Sequence, residues 1–309
     1  MRFRHVLICV LLSLLVAGCA QQAAQPTAIP TAAQSGTGAK QALVIGAINP
    51  SPSKRISAMQ PLADYLAGRL AGQGIVRGEV KIAQNIDAMV QMMQAGEVDV
   101  FFDTAYTALT ISSQTGAQPS LRWWKGGQAE YHTVFLTRAD SSITSLDQVK
   151  GAMVGFEQAF STSGYFVPRT YLSTNGYKVK EFDDAKASVP ADTIGYAFSG
   201  SSDNTIQWLV SGRVPVGVVN NSEYAELPAE TRATLRVLVE TEPIPRAVVL
   251  INSQLDSQLQ QAVTAILTGM NSDGAAQSAL EAFDGTSQFD VLAAEQQKQL
   301  QSLYALSQQ

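Results

Sequence analysis

Short apolar runs rich in β-branched residues alternate along this chain with amphipathic segments of helical period. Ala42–Ile48 (ALVIGAI) reads as a buried strand. A helical segment follows over roughly Ile56–Leu70, with a bend expected at Pro61, and Val80–Ala83 is a short strand. Asn85 can cap the next helix, whose Ile86, Met89, Val90 and Met93 share one face and which Gly96 closes. Val98–Phe102 is another buried strand. Strands alternating with helices specify an α/β fold, with a largely parallel sheet.

The pattern has an internal echo. Gln91–Val100 (QMMQAGEVDV) finds a counterpart in Gln207–Val216 (QWLVSGRVPV): in both, an amphipathic helix ends at glycine and feeds a strand, and a tyrosine follows (Tyr106, Tyr224). Helix–Gly–strand is common grammar in α/β proteins, but its recurrence fits two similar lobes. Between the echoes, Tyr131–Thr137 (YHTVFLT) and Met153–Phe156 read as strands, and Ser142–Val149 and Ser163–Leu172 as helices. A strand near Val237–Val239 precedes Pro243-Ile244-Pro245, a stiff extended link. Late helices are expected from about Asp256, with Leu259, Val263, Ile266, Leu267 and Met270 on one stripe, and near Ala293–Leu306.

The first residues speak to compartment. Arg2 and Arg4 precede an apolar run, Val6–Val16, that is shorter than the about 20 residues needed to span a bilayer. It fits the core of a secretory signal. Val16-Ala17-Gly18-Cys19 resembles the lipobox of bacterial lipoproteins, which makes residues 1–18 a leader and Cys19 the lipidated residue. The other cysteine, Cys9, lies in the leader, so the mature chain has no internal disulfide. Residues 19–41 are mostly Gln, Ala, Pro, Thr, Ser and Gly and read as a flexible tether. The remaining body of roughly 270 residues exceeds one ordinary core. Two lobes are expected, residues 42–137 plus 244–309 and residues 138–243, with crossings at Thr137–Ser141 and Glu240–Arg246. Without Arg2 and Arg4 the formal charge falls from −5 to about −7, which argues against nucleic acid or an anionic lipid surface as the main partner.

The sharpest local feature is Phe160-Ser161-Thr162-Ser163-Gly164, after a strand and opening a helix. A helix N-terminus offers free N–H groups and about half a positive charge. Three hydroxyls beside it make a site for an oxyanion, where a simple cap needs only one.

Most of the body, Ile45 to about Leu267, resembles the periplasmic phosphonate/phosphite/phosphate-binding proteins of ABC importers. The matching stretches are Ala95–Phe102 (AGEVDVFF) followed by Tyr106, Tyr131–Val134 (YHTV), Ser145–Gly151 (SLDQVKG) and Ser161–Gly164 (STSG). Ser199-Gly200-Ser201, Asp203-Asn204 and Ile206–Val219 continue the series. The resemblance implies a two-lobed type II periplasmic-binding-protein fold with a hinge and an interlobe cleft. It also implies oxyanion binding by Ser161, Thr162 and Ser163 and a ligand contact from Tyr106. Two departures matter. Where the family has a histidine in a Gly-Ser-His-Asp run this chain has Ser202, and where it has an aspartate at the end of the following strand it has Asn220. Both still hydrogen-bond, but two titratable groups are gone, so the ligand is a small oxyanion or a related neutral polar molecule.

The resemblance further implies a solute-binding lipoprotein that hands its ligand to an ABC permease as a monomer, outside the cytoplasm and without a cofactor. The alternative is a sensory protein presenting its closed form to a receptor kinase. His132, the one histidine outside the leader, is read as structural, since a metal site needs several ligands. Lys125, after Trp123-Trp124, is read as a surface cation beside packed indoles, with an extra anion contact as the other reading. Ser51–Lys54, Ser202–Asn204 and Lys125–Gly127 imitate the elements of a serine acylase. Their order is wrong for that class, and the chain is not expected to be an enzyme.

Overall fold

A computed structural model describes residues 40–49 and 51–308. The leader, Cys19 and the tether up to residue 39 lie outside them. In chain order, β1 (Ala42–Ile48), α1 (Pro52–Arg69), β2 (Arg77–Ala83), α2 (Ile86–Gln94), β3 (Val100–Asp103), α3 (Ala105–Thr115) and β4 (Gln118–Trp123) begin the first lobe. The short β5 (Glu130–Tyr131) leads out of it. The second lobe holds β6 (Thr133–Arg138), β7 (Met153–Phe156), α4 (Val167–Thr174), β8 (Lys178–Glu181) and β9 (Thr193–Phe198). It continues with α5 (Ser202–Val210), β10 (Val216–Asn220), α6 (Asn221–Glu226), α7 (Ala229–Ala233) and β11 (Leu235–Glu240). Then β12 (Ile244–Pro245) returns the chain, and β13 (Val248–Ile251), α8 (Ser257–Gly269), α9 (Gln277–Ala282), β14 (Phe289–Val291) and α10 (Ala294–Ser307) follow.

The strands form two six-stranded sheets, β14-β4-β13-β3-β1-β2 and β11-β6-β10-β7-β9-β8. The sheets are mixed, where a largely parallel sheet was expected. β1 pairs parallel with β2 and β3, but β13 runs antiparallel between β3 and β4. In the second sheet β10, β7, β9 and β8 are parallel and β6 is antiparallel to both β10 and β11. The reason is topological: the strand that follows each crossing between lobes, β6 after the first and β13 after the second, runs against the direction set by the βαβ units.

The first crossing also lies earlier than Thr137–Ser141. Residues 133–137, expected in the first lobe because the crossing was placed at Thr137–Ser141, pair with Asn220–Val216 in the second sheet. The run splits at His132, whose backbone N–H donates to Asn221 Oδ1 at 3.1 Å. Tyr131 and Glu130 pair instead with Ile244 and Pro245. The outgoing and returning segments thus form their own two-stranded ribbon, the natural hinge.

Local chemistry accounts for the other elements. α1 starts at Pro52, earlier than the apolar period indicated, because proline suits a first helical turn, and it runs on through Pro61. Asn85 accepts the Ala88 N–H at 2.9 Å, and Met89, Val90 and Met93 are buried beneath α2. Gly78 lets β2 approach α1: a Cβ there would stand 2.1 Å from the Ala63 carbonyl oxygen. One face of the first sheet packs Phe102, Trp123, Phe283 and Phe289, with Trp123 stacked on Phe283 at 4.4 Å. Full burial of such side chains contributes roughly 1.5–3 kcal/mol each. α10 lies against both α3 and α4 and so braces the two lobes; Arg169 Nη1 of α4 donates to the Ser307 carbonyl at 3.1 Å.

Candidate functional site

Helices in both lobes begin where parallel strands end, and these ends face each other across a cleft of about 700 Å3. The first lobe contributes Gln84–Asp87 at the start of α2, then Asp103, Thr104 and Thr107 around the start of α3. The second contributes Glu157, Phe160–Ser163, Asn220 and Glu223, and the hinge ribbon with its return contributes Tyr131 and Arg246.

The serine-rich loop is built as the sequence indicated, but its hydroxyls differ in role. Ser161 caps the helical segment: its Oγ accepts the Gly164 N–H at 2.9 Å and donates to Glu157 Oε2 at 2.6 Å. Thr162 and Ser163 are buried. Thr162 Oγ1 accepts the Tyr106 N–H across the lobes at 2.9 Å and keeps its own proton to donate. The Ser163 carbonyl is held by the Thr133 hydroxyl at 2.7 Å. A π-helical turn, Thr162–Phe166, precedes α4, so the first turn of this helix is wider than an ordinary one.

Asn220 ends β10, is buried, and caps α6: its Oδ1 accepts the Ser222 and Glu223 N–H groups, each at 3.0 Å. Glu223 accepts the Asn220 N–H in return, also at 3.0 Å, completing a capping box. Ser202 opens α5 beside Glu223 and is not among the residues lining the cleft. Tyr106 does not line it either. Its ring stacks on Phe166 at 4.6 Å and lies near Tyr304, because the second position of α3 turns toward α4 and α10. Thr104 and Thr107 of the same helix take the place expected of it.

Glu223, Glu157, Tyr131 and Arg246 also line the cleft and were not singled out as site residues from the sequence. Burial raises the Glu223 carboxyl above the usual carboxylate range, and neighbouring Glu157 adds to the rise, against the Asn220 N–H, Ser202 and the Arg246 charge. Glu157 anchors Ser161. Tyr131 is buried, and its hydroxyl, raised by that burial, stands beside Thr162 and Ser163. Arg246 lies over the Tyr131 ring at 5.1 Å, and its Nε and Nη1 are buried without a hydrogen-bond partner among the described residues. The one available signal was position: a cation directly after a proline-stiffened link that leads from one lobe to the other. Lys125 also lines the cleft, 5.2 Å from the Trp123 ring and 3.4 Å from Asp284. The indole contact matches the reading of this residue as a surface cation, but its place is at the cleft.

Asp103 is raised by burial, most strongly opposed by the Thr104 N–H. With Asp87, Glu157 and Glu223 it gives the walls an acidic character, so positive charge is confined to the corners at Arg246 and Lys125. Ser51–Lys54 sits at the start of α1 and is not among these lining residues. Among the described residues no cluster of His, Cys, Asp and Glu is arranged to hold a metal, and no helix is long and apolar enough to cross a membrane. A second cavity of about 510 Å3 lies near the opposite ends of the first-lobe strands. Its polar groups are mutually engaged: Lys40 pairs with Asp99, Asp99 accepts the Val44 N–H, and Asn252 donates to Met93 and Val98 carbonyls.

Residues 47–296 match the family described as "ABC transporter, phosphonate, periplasmic substrate-binding protein". XAC2383 from Xanthomonas citri, solved bound to chloride and bound to ATP, is 30% identical, with a TM-score of 0.80 over 87% of this chain and 98% of that one. PhnD1 from Prochlorococcus marinus, solved with methylphosphonate, is 18% identical, with a TM-score of 0.60 over 85% of this chain and 97% of that one. A binding-protein component of an ABC phosphonate transporter from Pseudomonas aeruginosa is also 18% identical, with a TM-score of 0.58 over 86% of each chain.

Proposed function

This chain belongs to the periplasmic substrate-binding proteins of ABC phosphonate transporters, with their type II fold and without enzymatic function, and from that premise we propose that it captures a small oxyanion in the interlobe cleft. Phosphonate, phosphite, phosphate or a related polar solute is the ligand class. The observation that carries the reading is the Ser161–Ser163 loop, set at a helix start on the cleft wall and facing groups from the other lobe. Free N–H groups and hydroxyl donors at such a terminus hold an anion without needing a cation of their own. The ATP seen in the Xanthomonas citri protein is consistent with a phosphoryl group as the recognised end of the ligand.

In this reading the lobes open about the β5–β12 ribbon, the solute enters, and contacts from both walls favour the closed state. The closed form is what the permease reads. A lipid on Cys19 and the tether after it hold the body near that permease and raise its effective concentration. Titration calorimetry of the purified protein against methylphosphonate, phosphite, phosphate and sulfate tests the proposal, with mass spectrometry of solutes retained after gentle purification. Binding of none of the four, together with retention of a solute lacking any oxyanion, would exclude it.

A further inference from the structure

Ser202 and Asn220 bring no charge to the cleft, and the serine loop brings only dipoles. The second lobe's contribution therefore contains no cation, while Glu157 and Glu223 add negative charge beside it. Arg246 is the exception in this corner. Its guanidinium lies over the Tyr131 ring, Tyr131 faces Thr162 and Ser163, and Arg246 acts electrostatically on both Tyr131 and Glu223. All of these groups meet at one place. Nε and Nη1 of Arg246 are buried and lack an acceptor among the described residues. Buried charges are ordinarily paired, because leaving one unpaired forfeits its hydration.

We infer that Arg246 is the charge-bearing ligand contact of this cleft and that the group it takes is a tetrahedral oxyanion in its fully ionised form. The inference rests on the oxyanion reading above and adds to it the residue that selects the ligand's charge. A guanidinium keeps its charge across the whole physiological range and offers a planar fork matched to two oxygens of one anion. It accepts no proton, so it favours the dianion of a phosphonate or phosphate monoester over the monoanion. Its location matters too. The Arg246 N–H donates to the Ala129 carbonyl at 3.0 Å, tying the residue after β12 to the residue before β5. An oxyanion held by Arg246 on one side and by the Ser161–Ser163 loop on the other joins the hinge to the second lobe.

The test uses the full-length protein, its Arg246→Gln and Arg246→Lys variants, and calorimetry with methylphosphonate, phosphate and sulfate. Arg246→Gln is expected to weaken binding of each oxyanion that the unmodified protein holds by about 10- to 150-fold. Arg246→Lys restores part of the loss, because it keeps the charge and loses the fork. A second readout separates ligand contact from a structural role. Loss of buried N–H groups that lack acceptors is not expected to lower the unliganded melting temperature of Arg246→Gln, whereas loss of a structural residue lowers it. Unchanged affinity in Arg246→Gln overturns the inference and leaves the serine-loop reading standing. Should that variant not fold, Arg246→Met, which keeps the stem and removes the charge, takes its place, and full affinity there overturns the inference equally. Failure of the unmodified protein to bind any of the three overturns the oxyanion reading beneath it.

Discussion

The Tyr106 backbone N–H donates to Thr162 Oγ1 at 2.9 Å, and these residues belong to opposite lobes. Tyr106 lies in the first turn of α3, where an N–H has no partner within its own helix, so the other lobe satisfies it. Stacking of the Tyr106 ring on Phe166 reinforces the same contact. Thr162→Val keeps the shape and removes the acceptor. Loss of one such bond, about 0.5–1.5 kcal/mol, falls on the closed state alone, so affinity should drop roughly 2- to 10-fold. Small-angle scattering should show a larger radius of gyration at equal ligand concentration. Thr162→Ser, which retains the oxygen, should behave as the unmodified protein; equal behaviour of the valine variant would remove this contact from the closing mechanism.

Ser161 and Ser163 should separate stability from binding. Ser161→Ala deletes the cap on Gly164 and the donor to Glu157 and is expected to cost about 1 kcal/mol of stability, visible as a lower melting temperature. Ser163→Ala touches no cap and should act mainly on affinity. The triple change Ser161→Ala, Thr162→Ala and Ser163→Ala is expected to weaken oxyanion binding at least about 10-fold, at 1.5 kcal/mol or more per bond to a charged group. Unchanged calorimetric affinity in the triple variant would reduce the loop to a helix cap.

The elements and the serine loop were legible because their signals are local. Asn85 before an amphipathic run and three hydroxyls before Gly164 each act within a few residues of themselves. What escaped depended on pairing at a distance. Nothing in Tyr131–Thr137 marks the break at His132, which is fixed by Asn221 just past the end of β10, the neighbouring strand but 89 residues away in the chain. The ligand contact expected of Tyr106 came from the family resemblance, yet the direction of its ring is set by Phe166 and Tyr304. Arg246 carries no motif, and Glu223 only the Asn-x-x-Glu spacing of a helix cap. They become conspicuous only when the hinge brings the first beside Tyr131 and the capping box turns the second inward.

On the lipoprotein reading, Cys19→Ala should release the protein from membranes without altering its melting curve, since residues 19–41 would then separate the anchor from the body. Fractionation of cells with calorimetry of the soluble variant checks both halves. Retention of the variant in the membrane fraction would refute lipid attachment at Cys19.

The titration of the cleft should follow Glu223. Ser202 and Asn220 do not titrate, and from the sequence that implied little change in binding between about pH 5.5 and 7.5, since a histidine at Ser202 would have titrated there. Glu223 supplies an ionisable group on the same wall, and burial together with Glu157 raises it above the usual carboxylate range. The sign follows from its charge. Below its raised value Glu223 is neutral, and one negative charge fewer stands beside the oxyanion on the wall it shares with Glu157 and Arg246. As pH rises through that value a carboxylate appears beside the ligand, and affinity falls. Glu223→Gln fixes the neutral form and keeps the capping box on Asn220, since glutamine serves there as well as glutamate. It should bind methylphosphonate with the acid-limb affinity at every pH, once the ligand's own protonation, titrated separately, is subtracted. The unliganded variant should also be more stable than the unmodified protein at neutral pH. A raised carboxyl contributes its stability below its unfolded value and loses it as pH rises through the folded one. A pH profile that survives in Glu223→Gln would assign the titration to another group, with Glu157, the carboxylate bonded to Ser161, as the next to replace.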